Sequence, residues 1–364
     1  MSKNNKSEFQ VKNYIVGPVN QFQRTKNIRA NDYPYFRTEN FAKINNFVID
    51  SLNKLLGVNQ EYRTVMITGS GTLGMEISGL NFTNEGDDVL VISSGSFGDR
   101  FVEILKRAGC NVEIKHVAFN KNLEVNDLET IKNAKRFKAV FVNHHETTTG
   151  HLHDLSIIRD FCNNNNSLLI ADCMTSFLSD KSRYEISKCD VIITSSHKGM
   201  CCSPGLVFIT YKRSLLNIPS NRIIGIYCDL KIYEKNAFRN QTPYTPAVGV
   251  IIELNDIFQL INTIGYEDWT ELIRKRAISF RSEISGSWII PKHRLSNFMT
   301  PILLPSESQI SLKKIMSNLE QKYGVNVTPI SGMYIDRLLR VSHVGDHSIE
   351  ETLKLANHLK LIVS

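Results

Sequence analysis

SLLIADCMTSFLSDKSRYEISKCDVIITSSHKG, residues 167–199, carries two apolar runs, LLIAD and VIITS, each followed at once by small and polar residues. Neither run alternates apolar with polar side chains, as a strand facing water on one side would. Uninterrupted runs mark strands buried on both faces, the habit of a parallel sheet covered by helices. Runs of this kind extend in both directions, giving strands at Thr64–Ile67, Asp88–Ile92, Asn111–Lys115, Ala139–Asn143, Ser167–Ala171, Val191–Thr194 and Leu206–Thr210. Between them lie segments apolar at helical spacing: Phe41–Leu56, Leu73–Phe82, Phe97–Ala108 and Leu155–Asn163. This βαβ rhythm predicts an α/β fold, a mostly parallel seven-stranded sheet with helices on both faces.

From about Ala247 the pattern changes to long helical segments, Val248–Ile261 and Trp269–Ile284, and then to shorter mixed elements. The chain therefore divides into an N-terminal arm over 1–20 that crosses to a partner subunit, a large domain over 21–250 and a smaller C-terminal α+β domain over 251–364. Its 364 residues are 42% hydrophobic and 22% charged, the composition of an ordinary globular protein. No apolar run approaches the roughly 20 residues a spanning helix needs, and the start MSKNNKSEFQ has no hydrophobic leader core, so a cytoplasmic protein without membrane contact is expected. The formal charge of +7 is dispersed, with no dense Lys/Arg block, which argues against nucleic acid and suits small anionic ligands. Seven cysteines with no Cys-x-x-Cys pair and no zinc-like His spacing read as reduced, buried thiols and no metal site.

Three short segments carry chemistry, each just past an expected strand. Thr68-Gly69-Ser70-Gly71-Thr72-Leu73-Gly74 opens a helix; its glycines let the backbone approach an anion, its hydroxyls donate, and the helix N-terminus favours negative charge. Taken alone it is equally a tight turn. Asp172 ends the run LLIAD, where open α/β sheets hold their ligands and a carboxylate can pair with a protonated heterocycle nitrogen. Taken alone it is equally a helix cap. Thr194-Ser195-Ser196-His197-Lys198-Gly199 places a lysine where partial desolvation lowers its pKa and makes its amine a nucleophile towards an aldehyde. Loop, aspartate and lysine in this order, each at a strand end, weigh against three coincidences.

The stretches GSGT at 69–72, SGSFGDR at 94–100, HHETTTG at 144–150, ADCMTSF at 171–177, SSHKG at 195–199 and RVSHVG at 340–345 together resemble the class V, fold-type I aminotransferases, which use pyridoxal 5'-phosphate (PLP). Within that class the chain is most similar to the 2-aminoethylphosphonate:pyruvate transaminases, with alanine:glyoxylate and serine:pyruvate aminotransferases as relatives. The resemblance implies a catalytic Lys198 that holds PLP as a Schiff base. It implies that Ser70, Gly71 and Thr72 hold the phosphate and that Phe97 stacks on the ring with Met174 opposite. Thr148 would contact the ring-hydroxyl side, Asp172 the ring nitrogen, and Arg340 the substrate carboxylate. QTPYTP at 241–246 resembles the loop that reaches a neighbouring subunit's cofactor phosphate, so the resemblance implies a homodimer with Thr242 and Thr245 acting in trans. The implied reaction is a ping-pong transamination from a small amine, best matched by 2-aminoethylphosphonate, to pyruvate or a similar keto acid; the alternative is an alanine or serine aminotransferase.

Two departures stand out. His197 occupies a position where these enzymes more often carry an amide, which leaves its part in phosphate binding open, and the start GPVNQFQRTKN abbreviates the family's GPGP-type start while bringing Arg24, Arg29 and Arg37 near as candidate ligands for a phosphonate. A cysteine desulfurase shares Ser-x-His-Lys but needs a cysteine well beyond the lysine, and the last one here is Cys228. A PLP-fold binding protein without turnover would be expected to lack the lysine.

Overall fold

The computed structural model describes residues 11–363 except 133–135, 218–221, 306–307, 309 and 331–335. The first half of the expected N-terminal arm, residues 1–10, lies outside the described residues. The large sheet has seven strands in the spatial order Tyr62–Gly69, Gly205–Lys212, Val191–Ser195, Leu168–Asp172, Ala139–Asn143, Asp88–Ser93 and Asn111–His116. All pair in parallel except Gly205–Lys212, which runs antiparallel to both neighbours. The mostly parallel seven-stranded sheet expected from the apolar runs is therefore present. Leu168–Asp172 and Val191–Ser195 lie side by side, so their C-terminal ends bring Asp172 and the segment leading to Lys198 together.

Helices cover both faces, and their ends follow local chemistry. Helix Glu39–Leu56 starts at Thr38, whose hydroxyl accepts from Phe41 N at 3.2 Å, and stops at Gly57 in the left-handed conformation, with Val58 N returning to Asn53 O at 3.2 Å. Its apolar face packs on helix Val248–Ile264, whose buried Ile251, Leu254, Ile257, Phe258 and Ile261 belong to the large-sheet core. The expected boundary between 250 and 251 falls inside this helix. The following helix, Tyr266–Ile284, buries Trp269 and Ile273 in that core and Phe280 and Ile284 in a second one.

The second core lies under a four-stranded sheet in the order Lys12–Tyr14, Val325–Pro329, Leu338–Ser342, Met299–Leu303. Lys12–Tyr14, from the expected arm, pairs in parallel with Val325–Val327 of the same chain. From there the chain crosses to the large sheet as a strap over residues 15–20. It is held by Val16 N donating to Thr328 Oγ1 at 3.1 Å, by Val19 N donating to His197 O at 3.4 Å, and by a bridge between Asn20 and Gly345.

Where the two sheets meet, the hairpin of His145–Glu146 and His151–Leu152 carries a column of imidazoles, with His151 stacked on His153 at 4.2 Å and on His293 at 4.8 Å. Burial pushes His144 and His153 down to about 3 and His151 to about 2, with Arg294 acting in the same direction. The folded protein thus keeps these rings neutral, whereas the unfolded chain protonates them below about pH 6.5. Their stabilising effect is complete above that pH and is lost as the pH falls. Asp172 and Asp180, raised to about 6 by burial, and Glu146 and Glu185, also raised by burial, act in the opposite sense, but His145, His197, His293, His343, His347 and His358 are lowered as well, so the imidazoles outnumber them. Urea unfolding followed from about pH 7 to about pH 5 is expected to show stability falling by about 1 kcal/mol or more per pH unit. A flat or rising profile would contradict this account of the column.

Candidate active site

Strand Tyr62–Gly69 hands over at Ser70 to helix Gly71–Phe82. No side chain caps this N-terminus, so its first N–H groups and the Ser70 hydroxyl remain available to an anion. Gly71 leaves room for Met174: a Cβ there would sit 2.1 Å from Met174 Sδ and would displace the thioether. Asp172 ends its strand buried, its Oδ2 accepting from Asn143 Nδ2 at 2.6 Å and its Oδ1 from Met174 N at 2.9 Å. Burial raises its pKa to about 6 against these hydrogen bonds and the nearby Lys198. Lys198 Nζ donates to Val16 O at 2.7 Å, and burial, reinforced by Arg340, lowers its pKa to about 8. About a tenth of it is therefore the neutral amine at pH 7, far more than for an ordinary lysine. The strap lies directly against it: a Cβ on Gly17, which has φ +133°, would fall 2.4 Å from Nζ.

Ser70, Gly71, Thr72, Phe97, Asp172, Met174, His197 and Lys198 line a single cavity of about 140 Å³. Eight of the residues singled out in the sequence thus converge. His197 is held down to about 4 by burial and by Lys198, so it is neutral here. A larger cavity of about 420 Å³ runs along the free edge of Tyr62–Gly69; Thr242 lines it, but neither Lys198 nor Asp172 does.

Other expected residues sit elsewhere. Thr148 is turned to the helix Ser96–Arg107, its hydroxyl 2.6 Å from Ser96 Oγ, and it is the preceding Thr147 that lines the cavity. Thr242 is buried with its hydroxyl donating to Tyr244 O at 2.7 Å, and Thr245 is exposed; neither lines the cavity of its own chain. Arg340, on strand Leu338–Ser342, reaches the rim, donating to Thr147 O at 3.1 Å and Pro329 O at 2.7 Å, while its Nε has no partner. The three arginines near the strap are engaged away from the cavity. Arg24 forms a two-pronged pair with Asp256 at 2.6 and 2.7 Å, Arg29 lies 3.8 Å from Glu253, and Arg37 donates to Thr242 O at 2.8 Å and Pro243 O at 3.1 Å.

The structure also adds residues. Glu146 is fully buried, and its carboxylate accepts from Phe97 N at 3.1 Å, Gly98 N at 3.0 Å and Thr148 N at 2.9 Å. It caps the helix that carries Phe97 and fixes the hairpin turn to it. Arg100, one turn after Phe97, lines the cavity, as do Asn143, His145 and Thr175, with His145 Nδ1 2.8 Å from Thr175 Oγ1. Their signal lay within the motifs already quoted: Arg100 closes SGSFGDR, and Glu146 stands in HHETTTG.

A half-buried ring, an open helix N-terminus, a buried carboxylate and a desolvated lysine around one small cavity match what a flat, phosphorylated aldehyde cofactor requires. The Aminotransferase class-V family matches residues 26–290, and the chain belongs to it. It is a PLP-dependent aminotransferase of fold type I. An uncharacterized aminotransferase of Methanocaldococcus jannaschii is 28% identical over 351 residues, covering 93% of this chain and 89% of its own. A bifunctional phosphonoacetaldehyde hydrolase/aminoethylphosphonate transaminase of Clostridioides difficile is 28% identical over 245 residues, covering 64% of this chain and 38% of its own. The crystal structure of an alanine–glyoxylate aminotransferase from Nostoc superposes with a TM-score of 0.89 at 20% identity, over 96% of this chain and 95% of that one.

Among residues at the cavity, Gly17 offers the sharpest steric test. Gly17→Ala is expected to weaken PLP uptake, read from the visible absorbance band of lysine-bound cofactor, by roughly tenfold, because alanine is strained at φ +133° and its methyl would push the Lys198 amine aside. Cofactor uptake equal to that of the wild type, with the melting temperature as a control for folding, would refute this.

Proposed function

We propose that this aminotransferase transfers an amino group from a small anionic amine, 2-aminoethylphosphonate, to pyruvate or a similar keto acid in a ping-pong cycle. The observation that carries the catalytic part is the convergence of Lys198, Asp172 and the open helix N-terminus at Ser70–Thr72 on one cavity. The residues fit PLP there: Ser70, Gly71 and Thr72 would hold its phosphate, Phe97 and Met174 would flank the ring, Asp172 would pair with the ring nitrogen, and Thr147, in place of Thr148, would face the ring hydroxyl. When bound, the cofactor accepts the electrons released as the substrate Cα–H bond breaks. Released when the donor amine takes its place on the cofactor, Lys198 would take the proton from the substrate Cα as a free amine, a role its depressed pKa of about 8 suits. Asp172 would set a negative charge beside the ring nitrogen; Asn143 and Met174 N offset its cost of burial in part. Arg340, anchored by two carbonyls with its Nε unpaired, would release one of them to present a planar fork to the carboxylate of the keto acid and to the phosphonate of the donor.

The donor rests on the motif resemblance and on the aminoethylphosphonate transaminase relative, which matches over part of its length. The relation to alanine–glyoxylate aminotransferase supports the alternative of an amino-acid donor with the same catalytic residues. A desulfurase is disfavoured because none of the cysteines lines the cavity. A second copy of the chain completes the site in this proposal. Thr242 and Thr245 lie away from their own cavity, and around their loop Tyr35, Ile223, Ile226 and Phe238 are 65, 99, 70 and 69% exposed. Tyr244 ties that loop to Ile226 by donating to its carbonyl at 2.9 Å.

Lys198→Ala is expected to abolish turnover while leaving the fold intact, measured by keto-acid-dependent amino transfer and by melting temperature; retained turnover above about one part in a thousand would exclude Lys198 as the base. Arg340→Ala is expected to raise KM for pyruvate by roughly tenfold to a hundredfold with a smaller change in kcat, the loss of a charged two-pronged contact. An unchanged KM would remove the clamp. A donor screen with pyruvate as acceptor, comparing 2-aminoethylphosphonate with alanine, serine and aspartate, decides the substrate; greatest kcat/KM with an α-amino acid would overturn the phosphonate proposal.

A further inference from the structure

We infer that Arg100 supplies the cation of the cofactor-phosphate cradle and, through the same guanidinium, positions Thr72; this rests on the cavity around Lys198 being the PLP site. Helix Gly71–Phe82 offers the phosphate an N-terminal dipole equivalent to about +0.5 charge, against a phosphate carrying roughly −1.5 to −2 near neutral pH. The remaining charge must come from a side chain. His197 does not supply it, since burial and Lys198 keep its ring neutral. Lys198 is engaged in holding the cofactor at its other end.

Arg100 is placed for the task by two helices. It lies three residues after Phe97 on Ser96–Arg107, so both side chains share a face, and its guanidinium carbon sits 4.8 Å from the Phe97 ring centroid. From there Arg100 Nη1 donates to Thr72 Oγ1 at 2.9 Å, in the first turn of Gly71–Phe82. A hydroxyl oxygen that accepts from a guanidinium keeps its own proton to donate, so this bond leaves Thr72 as a donor for an anion. Arg100 itself lines the cavity and has no ion pair among the described residues. The acidic side chains nearest it along the helix are otherwise engaged: Asp99 accepts from Ser93 Oγ at 2.8 Å, and Glu103 pairs with Arg107 at 2.8 Å. A half-buried cation without a counter-ion, bonded to a cradle hydroxyl, calls for an anion at the cradle.

The test compares PLP with pyridoxal, which has the ring and aldehyde but no phosphate. Apoenzyme with Arg100→Met or Arg100→Lys is titrated with each, and binding is followed by fluorescence and by the visible absorbance of the lysine-bound form. Arg100→Met is expected to weaken PLP by roughly tenfold to a hundredfold while changing pyridoxal by less than about threefold, and inorganic phosphate is expected to compete with PLP on the wild type far better than on the variant. Arg100→Lys, which keeps the charge and loses the planar fork, is expected to recover part of the PLP affinity and guards against a folding defect in the methionine variant. Equal losses for PLP and pyridoxal would reduce Arg100 to a brace for Phe97 and overturn the inference. Unchanged PLP affinity with a raised KM for the amino donor would move Arg100 to the substrate and overturn it as well. Failure of wild-type apoenzyme to bind either ligand would instead sink the assignment of the cavity itself.

Discussion

Two groups that water would normally ionise, the Lys198 amine and the Asp172 carboxylate, are withdrawn together to the ends of neighbouring strands, and most of the surrounding structure answers to that. Removing an ion from water costs several kcal/mol unless hydrogen bonds replace the lost solvent. Asn143 and the Met174 amide do so for Asp172, and the Val16 carbonyl does so for Lys198. Each partner must in turn be fixed: Asn143 by the adjacent strand, Met174 by its contact with Gly71, and Val16 by the strap's bond to Thr328. The pKa values of about 6 and about 8 that remain leave Asp172 mostly charged near neutral pH and bring Lys198 closer to the free amine that a base requires.

Glu146 applies the same logic one shell further out. It is a third carboxylate removed from water, and three backbone N–H groups replace the solvent. Because two of those belong to the first turn of the helix carrying Phe97, the charge that would destabilise an ordinary core here complements a helix N-terminus. Arg100 grips the same ring from its own helix. The aromatic face of the site is thus set by opposite charges on either side of one helix turn.

The inner strands of the large sheet were legible in the sequence because burial on both faces leaves an unbroken apolar run, and a strand's C-terminal end is where such a run stops; the edge strand Asn111–His116 has no buried residue and was placed by the βαβ rhythm. That put Asp172 at a strand end and Lys198 just past one, while their roles came from the motif resemblance. Thr148 was not legible in this way: in the run Thr147-Thr148-Thr149 every residue has the same chemistry, and only the hairpin turn decides which hydroxyl faces the cavity. Arg24, Arg29 and Arg37 looked like free cations because their partners, Asp256, Glu253 and the carbonyls of 242–243, lie some two hundred positions away. Periodicity has no access to pairings of that range. The strap shares this opacity, since a segment as short as Lys12–Tyr14 carries no pattern of its own.

That strap also makes the cover over Lys198 hostage to the small sheet. Lys12–Tyr14 pairs with Val325–Val327, the Thr328 hydroxyl holds Val16, and Asn20 meets the Gly345 backbone, each across more than three hundred positions. Contacts of that separation form slowly, because a long loop has to be closed to make them. Whatever loosens Val325–Pro329 or the backbone at Gly345 therefore also lifts the strap from the lysine, so damage remote in sequence reaches the reactive amine through its cover.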